Sequence, residues 1–180
     1  ERSPESYRET IGASLAAAQQ MRRLTESLLQ LARLDEGSAS FKHGPINLAD
    51  VAHRTVGGVR PLAASKGIRI ETSLSDAWSH GDPERIGQVI TNLLANAIQY
   101  NQPNGQIHLA TRAEGDHAVV HVRDTGIGID SKDLPHVFDR FFRADRARSR
   151  AEGHNGLGLA ISRAIVDAHR GRITVDSGVG

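Results

Sequence analysis

The chain has 180 residues, enough for one full domain and an appendage. Its 22 Lys and Arg balance 21 Asp and Glu, so there is no global electrostatic case for nucleic acid or an anionic membrane. A hydrophobic fraction of 38% with only 4% aromatic residues calls for an aliphatic core, and the lack of cysteine excludes disulfides and thiol chemistry and fits a reducing cytoplasm.

No run approaches the ~18 apolar residues of a membrane span, no stretch reads as a secretory leader, and no internal repeat is visible. From Pro4 to about Asp35 the sequence reads as one long helix. Tyr7, Ile11, Leu15, Ala18, Met21, Leu24, Leu28 and Leu31 recur at steps of three or four, and Gly37 supplies the stop. Such a stripe needs a partner helix, and no other long helix is legible, so the partner is expected in another copy or in further sequence. Residues 37–46 read as a polar linker. Asn47 caps a second helix through Leu48, Val51, Val56, Val59 and Leu62 to Lys66-Gly67, with Pro61 late inside it. Ile68–Ser73 and Trp78–Gly81 read as strands.

Asp82-Pro83-Glu84 opens the next helix, with Asp82 as N-cap and Pro83 at the first helical position. Ile86, Val89, Ile90, Leu93, Leu94 and Ala97 form one apolar face. Beside it, Gln88, Asn92, Asn96 and Tyr100 follow at i, i+4 as a polar stripe. Amides are poor helix formers, so this stripe needs a reason. Solvated or back-bonding asparagines would account for it. So would a Mg2+ whose charge is balanced by phosphates, since an amide oxygen is a neutral, hard ligand.

Gln106–Ala113 and Ala118–Asp124 then read as strands around the turn Glu114-Gly115-Asp116. A short helix is predicted over Ser131–Val137, a polar basic loop from Arg140 to Asn155, a last helix from Gly156 to His169, and a strand over Arg172–Asp176. Paired strands separated by helices argue an α+β fold with a mixed sheet.

Three further motifs carry chemistry. Asp124-Thr-Gly-Ile-Gly-Ile follows a strand, so a buried Asp124 carboxylate could accept from an amine while Gly126 and Gly128 let backbone approach a flat ring. An ordinary Asx turn fits as well. Gly153-His-Asn-Gly-Leu-Gly-Leu-Ala opens the last helix, where free N–H groups and the helix dipole suit a phosphate, although a flexible hinge reads equally well. Between them, Val137-Phe-Asp-Arg-Phe-Phe-Arg holds Phe138, Phe141 and Phe142, a small hydrophobic anchor. Arg140, Arg143, Arg146, Arg148 and Arg150 follow in a loop that is either solvated or a lid lending arginine to phosphate oxygens. The nine histidines show no metal-ligand spacing.

In this order and spacing the motifs resemble the catalytic ATP-binding domain of two-component sensor histidine kinases, within the wider gyrase, Hsp90 and MutL ATPase superfamily. Asn92–Asn101 is similar to the family's N box, Asp124–Ile129 to its first glycine box, Phe138–Arg143 to its F box, and Gly153–Ala160 to its second glycine box. Residues 24–37 resemble the end of the second helix of the dimerisation and phosphoacceptor domain. The resemblance implies a two-layer α/β sandwich of the Bergerat type, a mixed sheet packed against helices, preceded by the long helix. It implies a division into residues 1–36 (second helix of the dimerisation hairpin), 37–46 (linker) and 47–180 (catalytic domain, its last strand missing). ATP and Mg2+ are the implied ligands. Asp124 would read the adenine, Tyr100 would pack near its ring, Asn96 would be the principal metal and catalytic ligand, and Asn92 would assist it. Gly126, Ile127, Gly128, Ile129, Phe138 and Arg143 would line the site, and Gly156, Leu157, Gly158 and Leu159 would hold the phosphates. The implied partners are a second copy, through the dimerisation helices, and a response-regulator receiver domain. Neither nucleic acid nor direct membrane contact is expected. A cytoplasmic setting within a bacterial inner-membrane sensor follows.

Some departures bear on this. Gln99 stands where the family often has Lys, so that one phosphate contact is weakened or supplied by the lid, and His154 stands where Gly or a small residue is common. None of the nine histidines has the acceptor context of a following acidic residue and a nearby Thr-Pro, so the 180 residues are expected to bind ATP without phosphorylating themselves. An ATP-hydrolysing relative would carry a Glu base at the position of Asn92. A regulatory module that only senses ATP is the rival of another class, and a pure interaction protein would not need the glycine boxes.

Overall fold

The computed structural model describes residues 3–37, 40–144 and 155–178. Helix α1 spans Pro4–Asp35 and stops at Gly37, whose φ of 64° is the left-handed turn expected there. Helix α2 spans Leu48–Ser65; the Asn47 side chain accepts from the Ala49 N–H at its start, and Pro61 lies inside it. Strands β2 (Arg69–Leu74) and β3 (Trp78–Gly81) follow, then helix α3 (Pro83–Gln99). Strands β4 (Gln106–Glu114) and β5 (His117–Asp124) form a hairpin that turns at Gly115, where φ is 57°. Helix α4 spans Gly158–Ala168.

The main sheet is mixed and runs β2-β4-β5. β2 pairs in parallel with β4, from Arg69 opposite Gln106 to Leu74 opposite Thr111. β4 pairs antiparallel with β5, which sets Ile107 opposite Asp124. Val51, Ala52 and Val56 of α2 and Ile90, Leu94, Ala97 and Ile98 of α3 pack on Ile107 and Leu109 of this sheet in one aliphatic core. The two-layer arrangement is the one expected: the alternating face of β4 meets the apolar faces of two helices.

Four expectations are corrected. At the end of the stretch read as linker, and running one residue past it, Gly44–Asn47 is a strand, β1, paired antiparallel with β3; four residues with a proline are too few to show a period. The helix read over Ser131–Val137 is only a 3-10 turn, Leu134–His136, because Asp130 accepts the N–H groups of Lys132 and Leu134 in local turns. Arg172–Asp176 forms no ladder among the described residues, although Ile173 and Val175 alternate as a strand would. Finally, the stripe of α1 is only partly without a partner. Leu31, 2% exposed, packs with Val89 of α3 and with Leu157, Ile161 and Ile165 around α4, and Leu24 and Leu34 flank it. Tyr7, Ile11, Leu15, Met21 and Leu28 remain exposed.

Asp82 joins three parts of this architecture. Its Oδ1 accepts from Glu84 N and Arg85 N at 2.9 and 3.2 Å, capping α3, while its Oδ2 accepts from Lys42 N at 2.9 Å. Its own N–H donates to His169 Nε2, just after α4, at 3.0 Å. Burial alone would raise the Asp82 pKa; the N–H groups of Lys42, Arg85 and Glu84, together with the Arg85 charge, outweigh that and hold it below its ordinary 3.8. A depressed carboxylate stabilises the fold above its unfolded pKa, and that share is lost as pH falls through the folded value. Asp82→Ala should therefore cost about 1–2 kcal/mol at neutral pH by urea denaturation. The gap between wild type and variant should close as pH falls below 3.8.

Candidate functional site

The apolar face of α3 fixes its rotation on the core, and this points the polar stripe at three neighbours in turn. Gln88 and Gln30 of α1 exchange two amide hydrogen bonds, 2.7 and 2.9 Å long. One turn on, Asn92 Nδ2 donates to Gly158 O at 3.0 Å and to Ser162 Oγ at 3.2 Å, tying α3 to the first two turns of α4. Asn96 is half-buried on the next turn, and Gln99 is half-buried at the helix end. Tyr100 closes α3, its N–H donating to Asn96 O and its O accepting from Ile127 N at 3.1 Å.

That last bond seats the loop after β5. Asp124 stands at the strand end as read, but its carboxylate is exposed rather than buried, and Oδ1 accepts from Gly126 N at 2.8 Å. The glycine at 126 has a second cause beyond approach to a ring. A Cβ there would lie 2.5 Å from the Tyr100 carbonyl oxygen, so only glycine lets the loop close on α3. Gly128 has a φ of 72°, Ile127 is exposed, and Ile129 N donates to Ser177 Oγ. Thr125 and Gln102, which the sequence reading did not single out, hold the loop further. Gln102 Nε2 donates to Thr125 O at 2.7 Å, and Thr125 Oγ1 accepts from Gln106 N at 2.9 Å.

The opening of α4 is built differently. Gly156, with φ 66°, accepts from Phe141 N at 2.9 Å, and a Cβ on it would meet Phe142 O at 2.8 Å. Leu157 is the N-cap with no side-chain cap bond, and its own side chain is core, 2% exposed, so it can offer a ligand only its backbone. Leu159 is half-buried. At Gly158 a Cβ would meet, among the described residues, the Asn92 amide alone, Cγ at 3.8 Å and Nδ2 at 4.0 Å, both ordinary contacts. Protein packing therefore does not require glycine at 158, and close approach of a ligand to an uncapped helix start would account for it. Arg143 supports the same reading: its Nε and Nη2 are buried without a hydrogen-bond partner among the described residues, the condition of a receptor for an anion.

The three phenylalanines do not form one anchor. Phe141 is 54% exposed with φ 63°, a conformation set by its bond to Gly156, while Phe142 and Phe138 are half-buried. Phe138 lies under the Arg163 guanidinium at 5.8 Å and lines a groove of about 300 Å3 with Leu31, Leu34 and Ala164. None of the other expected ligand residues lines that groove. Arg146, Arg148, Arg150, Gly153 and His154 lie outside the described residues. Among the described residues, no cluster of three His, Cys, Asp or Glu side chains could hold a metal. A cation would have to be held by neutral amides, a donor set that suits Mg2+ when phosphates carry the compensating charge.

Residues 81–180 match the family described as histidine kinase-, DNA gyrase B-, and HSP90-like ATPase. The chain is 32% identical over 181 residues to the circadian input-output histidine kinase CikA of Synechococcus elongatus, covering 98% of this chain and 24% of that protein. It is 37% identical over 180 residues to the sensor histidine kinase YkoH of Bacillus subtilis, covering 99% and 38% respectively. The chain thus spans about a quarter to two-fifths of the length of these relatives. In fold it is similar to full-length ShkA, solved in complex with AMPPNP, with a TM-score of 0.77 and 23% identity over 93% of this chain and 35% of that one.

The glycines can be told apart by experiment. Gly126→Ala and Gly156→Ala should each lower stability by about 1–3 kcal/mol, because backbone must move to admit the methyl group. Gly158→Ala should leave stability unchanged or raise it by up to ~1 kcal/mol, since the site has room and helical glycine is entropically costly. Chemical denaturation of the three variants checks this ordering.

Proposed function

Because this chain belongs to the family of histidine kinase-, DNA gyrase B-, and HSP90-like ATPases, we propose that it is the ATP-binding catalytic portion of a sensor histidine kinase. It would transfer the γ-phosphoryl group of ATP to a histidine of a dimerisation domain, for onward transfer to a response-regulator aspartate. The P–O bond to the departing ADP breaks as a P–N bond to the imidazole forms. Transfer of this kind is mostly positioning and charge stabilisation, so the binding residues are the catalytic apparatus.

The observation that carries this reading is the uncapped start of α4, with a glycine at 158 that packing does not demand, held one hydrogen bond from the amide of Asn92. On this reading the backbone of Gly156, Leu157, Gly158 and Leu159 and the buried guanidinium of Arg143 bind phosphates. Asp124 accepts from the adenine amine, and Tyr100 and the loop Gly126–Ile129 flank the ring. Asn96, with Asn92, holds Mg2+, which neutralises phosphate charge when bound. Gln99 contributes a neutral contact where a lysine would contribute charge. Asn92 also favours the kinase over a hydrolase. Its Nδ2 is engaged as a donor, and an amide cannot take a proton from water.

Helix α1 is proposed as the second helix of the dimerisation hairpin and residues 37–46 as its connection, whose last three residues already join strand β1 of the catalytic domain that continues over residues 47–180. The exposed run from Tyr7 to Leu28 would pair with a second copy. No helix among the described residues is long and apolar enough to cross a membrane. The setting proposed is the cytoplasmic part of a bacterial inner-membrane sensor.

Calorimetry should show ATP and ADP binding to the 180-residue chain. Asp124→Ala should lose about 1.5–3 kcal/mol of it, the scale of a hydrogen bond to a charged group. Labelled ATP should leave the chain itself essentially unphosphorylated. A separate dimerisation hairpin bearing an acceptor histidine should gain an acid-labile, alkali-stable phosphate. Stoichiometric phosphohistidine on the chain alone, or unchanged nucleotide affinity in folded Asp124→Ala, would overturn the assignment of roles.

A further inference from the structure

Ser162 is wholly buried, 0% exposed, on the second turn of α4, and its place is set by Asn92 and Gly158. Its Oγ–H donates to Gly158 O at 2.9 Å, so its proton is already committed when the Asn92 amide arrives at 3.2 Å. Gly158 O, also 3.0 Å from that amide, can only accept. Asn92 therefore faces two acceptors with one group, and only its Nδ2, with two hydrogens, satisfies both. Turned the other way, the amide would set Oδ1 against the Gly158 carbonyl oxygen, two acceptors with no proton between them. The arrangement leaves Oδ1 as the end of Asn92 that is not spoken for by α4.

From this geometry we infer that Ser162 is a positioning residue for Mg2+–nucleotide binding, acting through Asn92 by fixing which end of its amide faces a bound cation. The inference rests on the kinase reading above and deepens it. Outer partners of metal ligands set both the orientation and the occupancy of the ligand atom, and their loss commonly costs ~10–100-fold in metal affinity. Among the described residues the Ser162 hydroxyl bonds Asn92 and Gly158, and a purely apolar helix face would be served by alanine.

The test compares Ser162→Ala and Ser162→Thr with the wild-type chain in three measurements. By calorimetry, Ser162→Ala should weaken ATP binding about tenfold in Mg2+ and less than about twofold in EDTA. Ser162→Thr, which keeps the accepting oxygen, should stay near wild type in both. In the nucleotide-free chain, the side-chain 15N spectrum of Asn92 should show two amide protons protected from solvent exchange, and one of them should exchange faster in Ser162→Ala. Thermal midpoints in EDTA separate this role from unfolding. Equal weakening of Ser162→Ala in both buffers, or no weakening in either, would overturn the inference, and so would an unchanged Asn92 spectrum. A wild-type chain that binds no ATP would instead sink the kinase reading. Wild-type binding that is equal in Mg2+ and EDTA would sink the metal role of the asparagines.

Discussion

The contacts that dock α1, α4 and the loop after β5 onto one another pass through one face of α3 and its last turn. Its apolar face is locked in the aliphatic core by Ile90, Leu94, Ala97 and Ile98, which leaves the neighbouring stripe no rotational freedom. Along that stripe each turn meets a different partner. Gln88 meets α1, Asn92 meets α4, and the Tyr100 carbonyl meets the loop after β5. Each bond is worth only about 1 kcal/mol net, but each buried amide left unmet would cost more than that. The stripe thus specifies where three separate pieces dock, while the core supplies the stability.

The same stripe shows what could and could not be read from the chain. Its existence, its helix and its boundaries were legible because caps and periodicity are local: Asp82 accepts from Glu84 N and Arg85 N as an N-cap must. The glycine boxes were legible as sites of close backbone approach, but not what approaches. At Gly126 and Gly156 the intruding atoms are protein, the Tyr100 and Phe142 carbonyl oxygens, whereas at Gly158 a side-chain carbon would have room. Ser162 was invisible. Its role depends on Asn92, seventy positions away, and serine in an apolar helix reads as filler. Strand β1 was missed for the opposite reason, since its four residues are too few for a period and only its pairing with β3 defines it.

Asn92 joins both halves of the site, and chemistry explains why an amide serves there. A carboxylate at this position could bind a cation but could not donate to Gly158 O, so the helix start would be repelled by its own neighbour. A lysine could donate but would compete with the cation. An amide presents a donor pair to α4 and a hard neutral oxygen on its other side, provided that something fixes which is which. Two acceptors facing one amide supply that condition.

The seat of α1 follows the same division between stability and specification. Burying Leu31 against Val89, Leu157, Ile161 and Ile165 is worth roughly 2–5 kcal/mol by the cost of truncating such a side chain. The Arg140–Asp35 ion pair across the same junction is about half exposed on both sides and adds ~0–1 kcal/mol. Apolar contact therefore holds the helix, and the reciprocal Gln30–Gln88 bonds, which are satisfied only in one register, choose where along α3 it rests. Leu31 shares one cluster with Leu157, at the uncapped start of α4, and with Val89 of α3. Any displacement of α1 along its axis must then either break that cluster or carry α3 and α4 with it, and those are the two helices that Asn92 binds together.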